Sequence, residues 1–161
     1  MIRIRPYVDS DEDRILAWCH EEDTYYNRTA GILGAYPITA EQLRRTAGVM
    51  RFTALVGEEA AGFFTARHPN GSPDELRFGF VIVDPDKRGQ GVGKGMLRLG
   101  LAFAFDIYRA RRVTLGVFED NPPARFCYRA AGFRETGARE TYSIRGAERV
   151  SIEMEALNPR L

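Results

Sequence analysis

The stretch Phe78-Gly-Phe-Val-Ile-Val83-Asp-Pro-Asp-Lys-Arg88-Gly-Gln-Gly-Val-Gly93-Lys-Gly-Met-Leu-Arg98 decides how this chain is read. It opens apolar, continuously so from Phe80 to Val83, as a strand covered on both faces does. Asp84-Pro85 ends that strand, and residues from about Gly91 to Tyr108 read as a long helix. A glycine-rich turn therefore joins a buried strand to a helix N-terminus. Glycines let the backbone turn tightly with its N–H groups exposed, and the helix end adds free donors and partial positive charge. Such a turn suits a pyrophosphate.

Spacing separates the motifs that compete for this turn. A P-loop requires Gly-x-x-x-x-Gly-Lys-Ser/Thr, but Gly95 follows Gly93-Lys94 and Arg88 stands five positions before Gly93. A dinucleotide fingerprint requires Gly-x-Gly-x-x-Gly, yet Gly89-x-Gly91 leads to Lys94 and Gly91-x-Gly93 leads to Met96. What fits is Arg-x-x-Gly-x-Gly on Arg88, Gly91 and Gly93, with Lys87, Lys94 and Arg98 as further cations. A strand–helix connection without a ligand is the bland alternative, and Arg88 at this spacing weighs against it.

Outward from the turn, the pattern is that of one mixed α/β domain spanning residues 1–161. Ile2 to Val8 alternates as a short edge strand, and Ser10 followed by Asp11, Glu12 and Asp13 opens a helix to about His20. Thr24 to Pro37 has no clear period and reads as a loop or broken helix. Thr39-Ala-Glu-Gln42 is a capping box that opens a second short helix to Ala47. Arg51–Val56 and Ala60–Arg67 form a hairpin, and Glu75–Val83 is the strand before the turn. Val113–Phe118 is a further strand, Asn121-Pro122-Pro123 caps a helix that closes at Gly132, and Arg134–Ser143 and Glu148–Ala156 are a closing pair.

Composition removes several classes of function. The chain has 161 residues with a net charge of +1, so no global field draws it to nucleic acid or to an anionic membrane. No run reaches the roughly 18 apolar residues that span a bilayer. Two cysteines, Cys19 and Cys127, and two histidines, His20 and His68, form no CxxC or Cys/His cluster of zinc spacing, so no metal is expected. Isolated cysteines and the absence of an apolar signal core lead us to expect a reduced, cytoplasmic protein. Charge is nonetheless uneven. Asp9 to Asp23 holds seven acids against Arg14 alone.

A second motif lies about 30 residues beyond the first. In Asn121-Pro-Pro-Ala124-Arg-Phe-Cys-Tyr128-Arg-Ala-Ala-Gly132-Phe133, Ala follows Asn by three, Tyr by seven, and Gly-Phe closes the helix. The two motifs together, in this order, resemble those of the GNAT superfamily of acetyltransferases, and the element order resembles it over nearly the whole domain. The resemblance implies an acyl-CoA N-acyltransferase fold: a mostly antiparallel sheet, flanked by helices and splayed between the strand before the turn and Val113–Phe118. It implies acetyl-CoA as co-substrate, with the pantetheine arm pairing to the backbone at Val81 and Val83. Arg88, Gly89, Gln90, Gly91, Val92, Gly93 and Lys94 would then hold the pyrophosphate, and Asn121 the arm.

The same resemblance makes Tyr128 the acid that protonates the leaving thiolate, and Glu75 a candidate base. Each residue also has a plainer reading: Tyr128 as a core aromatic, Asn121 as a simple N-cap, Glu75 as a surface acid. Family members that acetylate protein N-termini carry a glutamate where this chain has Gly116, between Leu115 and Val117. The expected acceptor is accordingly the primary amine of a small molecule, with a protein N-terminus or lysine as the alternative. A coenzyme A-binding sensor without catalysis is the alternative of another class. The first helix and the following loop usually form the acceptor wall in this family. Here the acids of Asp9–Asp23 with Trp18, Tyr25, Tyr26 and Tyr36 would suit a cationic amine. Members often form homodimers through the closing strands.

Overall fold

In the computed structural model, which describes residues 1–30, 32, 34–45 and 49–161, the first half of the chain is β1 (Ile2–Pro6), α1 (Glu12–Ala17), α2 (Glu22–Thr29), α3 (Ala40–Arg44), β2 (Met50–Val56) and β3 (Glu59–Arg67). The second half is β4 (Glu75–Val83), α4 (Val92–Ala102), β5 (Arg112–Phe118), α5 (Pro122–Ala131), β6 (Arg134–Ile144) and β7 (Ala147–Leu157). The strands make one sheet in the order β1-β2-β3-β4-β5-β7-β6. Every neighbouring pair is antiparallel except β4 and β5. This is the mixed α/β sheet expected from the sequence, with β7 inserted between β5 and β6.

Helices cover both faces. One core cluster packs α4 and α5 against the sheet through Met96, Leu97, Phe64, Leu76, Phe78 and Leu115. On the opposite face Ile15, Trp18 and Leu43 meet Phe63, Phe80 and Ile82. Phe63 and Phe64, adjacent on β3 and both fully buried, send one ring to each layer. Each such side chain contributes about 1.5–3 kcal/mol of hydrophobic stabilisation.

β4 and β5 separate because β4 is bulged. Between the pairs Phe63–Ile82 and Thr65–Gly79, β4 carries one more residue than β3. Phe80, inside the bulge, has φ of 47°, a conformation that costs a bulky side chain about 1–3 kcal/mol. A bulge bends its strand and sharpens its twist, which turns β4 away from β5. The two are parallel partners only at Glu75–Arg112, Leu76–Val113 and Arg77–Thr114.

Several local expectations change. The segment read as a loop from Thr24 contains α2, although Glu21 caps it without a side-chain bond. Tertiary packing holds it: Tyr25 is fully buried and its hydroxyl donates to the Gly34 carbonyl at 2.7 Å, while the Tyr26 hydroxyl accepts from the Tyr36 amide at 3.2 Å. α1 stops at Ala17 rather than near His20, and its N-cap is Asp11 rather than Ser10. The Thr39 capping box forms as expected, with Thr39 Oγ1 accepting from the Gln42 amide and Gln42 Oε1 from the Thr39 amide. The end expected for that helix, Ala47, lies outside the described residues. α4 is α-helical only to Ala102 and continues as a π-helical turn from Phe103 to Ile107. Among the described residues no helix is long and apolar enough to cross a membrane.

Candidate active site

Beyond Arg77–Thr114 the side of β4 that faces β5 has no strand partner among the described residues. A free strand edge offers unpaired N–H and C=O groups, to which an extended ligand can add as another strand. Val81 and Val83 lie on this edge. A cavity of about 280 Å³ opens in the splay, reached by Val81, Leu115 and Val117 from the strands and by Tyr128 from α5. The separation of β4 from β5 thus produces both an edge and a pocket.

The glycine turn stands at the far end of β4. Gly89 and Gly91 have φ of 74° and 81°, which glycine adopts without strain, and a Cβ on either would meet nothing within 4 Å. Open space around a backbone that only glycine adopts without strain is what a closely approaching ligand needs. Gly91 is the N-cap of α4, so the first amides of an 11-residue helix point into that space. Val92 turns its side chain into the core, whereas Gln90 and Lys94 are exposed. Lys87 is engaged by Glu59 at 3.0 Å and by Asp84 at 3.6 Å, so it is not the free cation that its position suggests. Arg88 is exposed; partial burial and the neighbouring Arg28 lower its pKa. The turn, the helix end, Lys94 and Arg88 fit a pyrophosphate.

Gly93 has a different role. A Cβ there would lie 3.0 Å from Cys127 Sγ and 3.4 Å from Val83 Cγ2, so this glycine allows α4, α5 and β4 to approach. Cys127 therefore faces Gly93, while its neighbour Tyr128 is buried at the cavity. Burial pushes the Tyr128 hydroxyl above its ordinary pKa, partly opposed by Arg28, which lies within hydrogen-bonding reach. Asn121 caps α5, its Oδ1 accepting from the Ala124 amide at 3.4 Å, and it stands on the loop that leads out of β5.

Two expectations meet a different geometry. Glu75 lies where β4 and β5 are still paired, in an ion pair with Arg112 at 3.5 Å, and does not line the cavity. Nor do the acids of Asp9–Asp23. Asp11 is buried against Arg5 and Thr53, Glu12 pairs with Arg44, and Glu22 and Asp23 pair with Arg145. Trp18 is in the core, and Tyr25, Tyr26 and Tyr36 pack on one another. The wall is cationic instead. Arg28, Arg45, Arg67 and Arg77 line the cavity and no Asp or Glu does, among the described residues. Arg28 escaped the sequence reading because its helix did. A Cβ on Gly116 would lie 3.1 Å from Arg77 Nη2, so a guanidinium occupies the space beside the glycine of Leu115-Gly116-Val117.

Comparison with known proteins bears on this geometry. The sequence model of the acetyltransferase (GNAT) family matches residues 7–133. N-alpha-acetyltransferase RimI of Mycobacterium tuberculosis is 34% identical over 88 residues, 54% of this chain and 53% of that protein. The match thus spans about half the length of that relative. L-amino acid N-acetyltransferase AaaT of Escherichia coli is 28% identical over 113 residues, 68% of either chain. Among solved structures, spermidine N-acetyltransferase from Vibrio cholerae, in complex with CoA and spermine, superposes with a TM-score of 0.81 at 19% identity, covering 98% of this chain and 95% of that one. At that identity the likeness is one of fold.

Proposed function

The chain belongs to the acetyltransferase (GNAT) family, and we propose that it moves the acetyl group of acetyl-CoA to a primary amine of a small molecule by direct attack. The observation that carries this reading is the bulged strand β4, whose free edge runs from the glycine turn to the cavity at Tyr128. Acetyl-CoA supplies the activated thioester. The chain's own residues do the rest. The amides from Arg88 to Lys94 bind the pyrophosphate, and the backbone at Val81 and Val83 orients the arm as an added strand. Asn121 adds a hydrogen bond from the mouth of the splay.

Holding donor and acceptor together in one cavity replaces a bimolecular encounter with a positioned one. A backbone N–H in the Val81–Val83 segment faces the carbonyl oxygen, where negative charge develops. Tyr128, kept protonated by its raised pKa, holds at its hydroxyl the proton that the departing sulfur requires. The acceptor ammonium gives one proton to solvent in the open cavity before it attacks as the neutral amine, and the nitrogen loses a second as the C–S bond breaks. Glu75, held by Arg112, has no part in this scheme.

Release of free thiol, followed across a panel of amines, tests the reading. Turnover that depends on both acetyl-CoA and an amine supports it. Hydrolysis at one rate with and without amine contradicts it. The relatives' names span amino acids and polyamines, so the acceptor depends on this chain's own cavity wall.

A further inference from the structure

The wall of the cavity has an excess of cations. Four arginines line it and no carboxylate does, among the described residues. Two of the four have counter-ions: Arg77 pairs with Glu153 at 2.6 Å, and Arg45 with the exposed Glu41 at 3.3 Å. Arg28 and Arg67 have no carboxylate within 4.0 Å among the described residues. Arg28 Nε is moreover buried without a hydrogen-bond partner, although the same guanidinium reaches the Tyr128 hydroxyl. A buried donor without an acceptor is costly unless a ligand or water supplies one. Arg67 stands directly opposite Arg77 across the β3–β4 pair, a like-charge arrangement with one counter-ion for two guanidiniums.

These positions are ordered by the fold. Arg28 follows Tyr25 by three residues on α2, so the turn of helix that buries Tyr25 carries Arg28 over the splay. It lines the same cavity as Tyr128, and its charge acts on that hydroxyl. Arg67, at the exposed end of β3, stands at the rim.

Resting on the acetyltransferase reading, we propose that the acceptor is an amino acid, an amine with a carboxylate close to it, and that Arg28 binds the carboxylate with Arg67 as a second cation at the rim. A guanidinium presents two parallel donors that match a carboxylate, and binding it places the neighbouring amine at the thioester. In the transfer the N–C bond forms as the C–S bond breaks. The ammonium gives one proton to solvent before attack; as the C–S bond breaks, Tyr128 gives a proton to the sulfur, and the second proton lost by the nitrogen passes through solvent to restore the phenol. A polyamine brings only positive charge to four arginines.

The test compares matched acceptors by thiol release: free amino acids, their carboxamides, the corresponding decarboxylated amines, aminoalkyl phosphonates and spermidine. The expected kcat/KM for the preferred amino acid is about 10- to 100-fold above that of its carboxamide. In Arg28→Gln that ratio collapses toward one, and Arg28→Lys restores part of it. Because the charge of Arg28 acts on the Tyr128 hydroxyl, Arg67→Gln is the second variant, expected to lower the same ratio severalfold with the KM for acetyl-CoA unchanged. Carboxamides or spermidine turned over as well as amino acids would overturn the proposal. So would a preference for phosphonates, or variants that slow acid and amide alike. Thermal stabilisation by acetyl-CoA with no thiol release from any amino acid overturns this proposal alone. No stabilisation by acetyl-CoA and no thiol release from any amine overturns the acetyltransferase reading beneath it.

Discussion

At the scale of single residues, burial and partners set the protonation states that matter. Burial raises the pKa of Tyr128 and Arg28 opposes it, with burial the larger effect. The phenol therefore keeps its proton throughout the neutral range. Activity that needs this proton falls only as pH rises past the ordinary tyrosine value of about 10. Replacing Tyr128 by Phe is expected to lower kcat about 100-fold or more and to remove that alkaline limb, with acetyl-CoA binding retained. A kcat–pH profile of both proteins checks it. Asp11 shows the opposite sign. Burial disfavours its charge, but hydrogen bonds from Arg5 and Thr53 outweigh that, and its pKa is lowered. Its contribution to stability is complete above the unfolded value of about 3.9 and is lost as pH falls through the lower folded value. Asp11→Asn is expected to cost about 2 kcal/mol in urea unfolding at pH 7, less than a fully buried pair because Arg5 is a third exposed. Asp11 reads in sequence as one helix-start acid among several. Only its long-range partner Thr53 distinguishes it, and spacing along the chain cannot show that contact.

Among elements, the glycines that read alike in sequence divide by function. Gly89 and Gly91 need their backbone angles and face open space, whereas Gly93 needs its lack of a side chain. Gly93→Ala should therefore destabilise by about 1–3 kcal/mol through contact with Cys127 Sγ. The double variant with Cys127→Ala should recover most of that loss, as a thermal unfolding series would show. The Arg-x-x-Gly-x-Gly turn, the Thr39 capping box and the Asn121 cap were legible because each is a local pattern with a local cause. α2 was not, because its Tyr-Tyr-Asn-Arg-Thr run has weak helix propensity and its stability comes from burying Tyr25 and Tyr26. The bulge at Phe80 was hidden for a related reason. It shows only in register against β3, where one extra residue on β4 opens the splay.

For the whole molecule, the charge that looked segregated in sequence is partly neutralised in space. Four of the seven acids of Asp9–Asp23, namely Asp11, Glu12, Glu22 and Asp23, are met by Arg5, Arg44 and Arg145, from both ends of the chain. At the cavity, by contrast, Arg28 and Arg67 have no carboxylate within 4.0 Å among the described residues. The motifs of the second half mark the proposed donor site, while the wall of the cavity depends on α2 and on pairings across the sheet. The central claim, that the splayed β4 and its glycine turn bind acetyl-CoA, is tested most directly by thermal unfolding with acetyl-CoA against ATP and NAD. At 100 times the dissociation constant, acetyl-CoA should add about 2.7 kcal/mol and raise Tm by roughly 5–10 °C, while ATP and NAD at equal concentration add far less. No shift with acetyl-CoA, or an equal shift with all three, would contradict it.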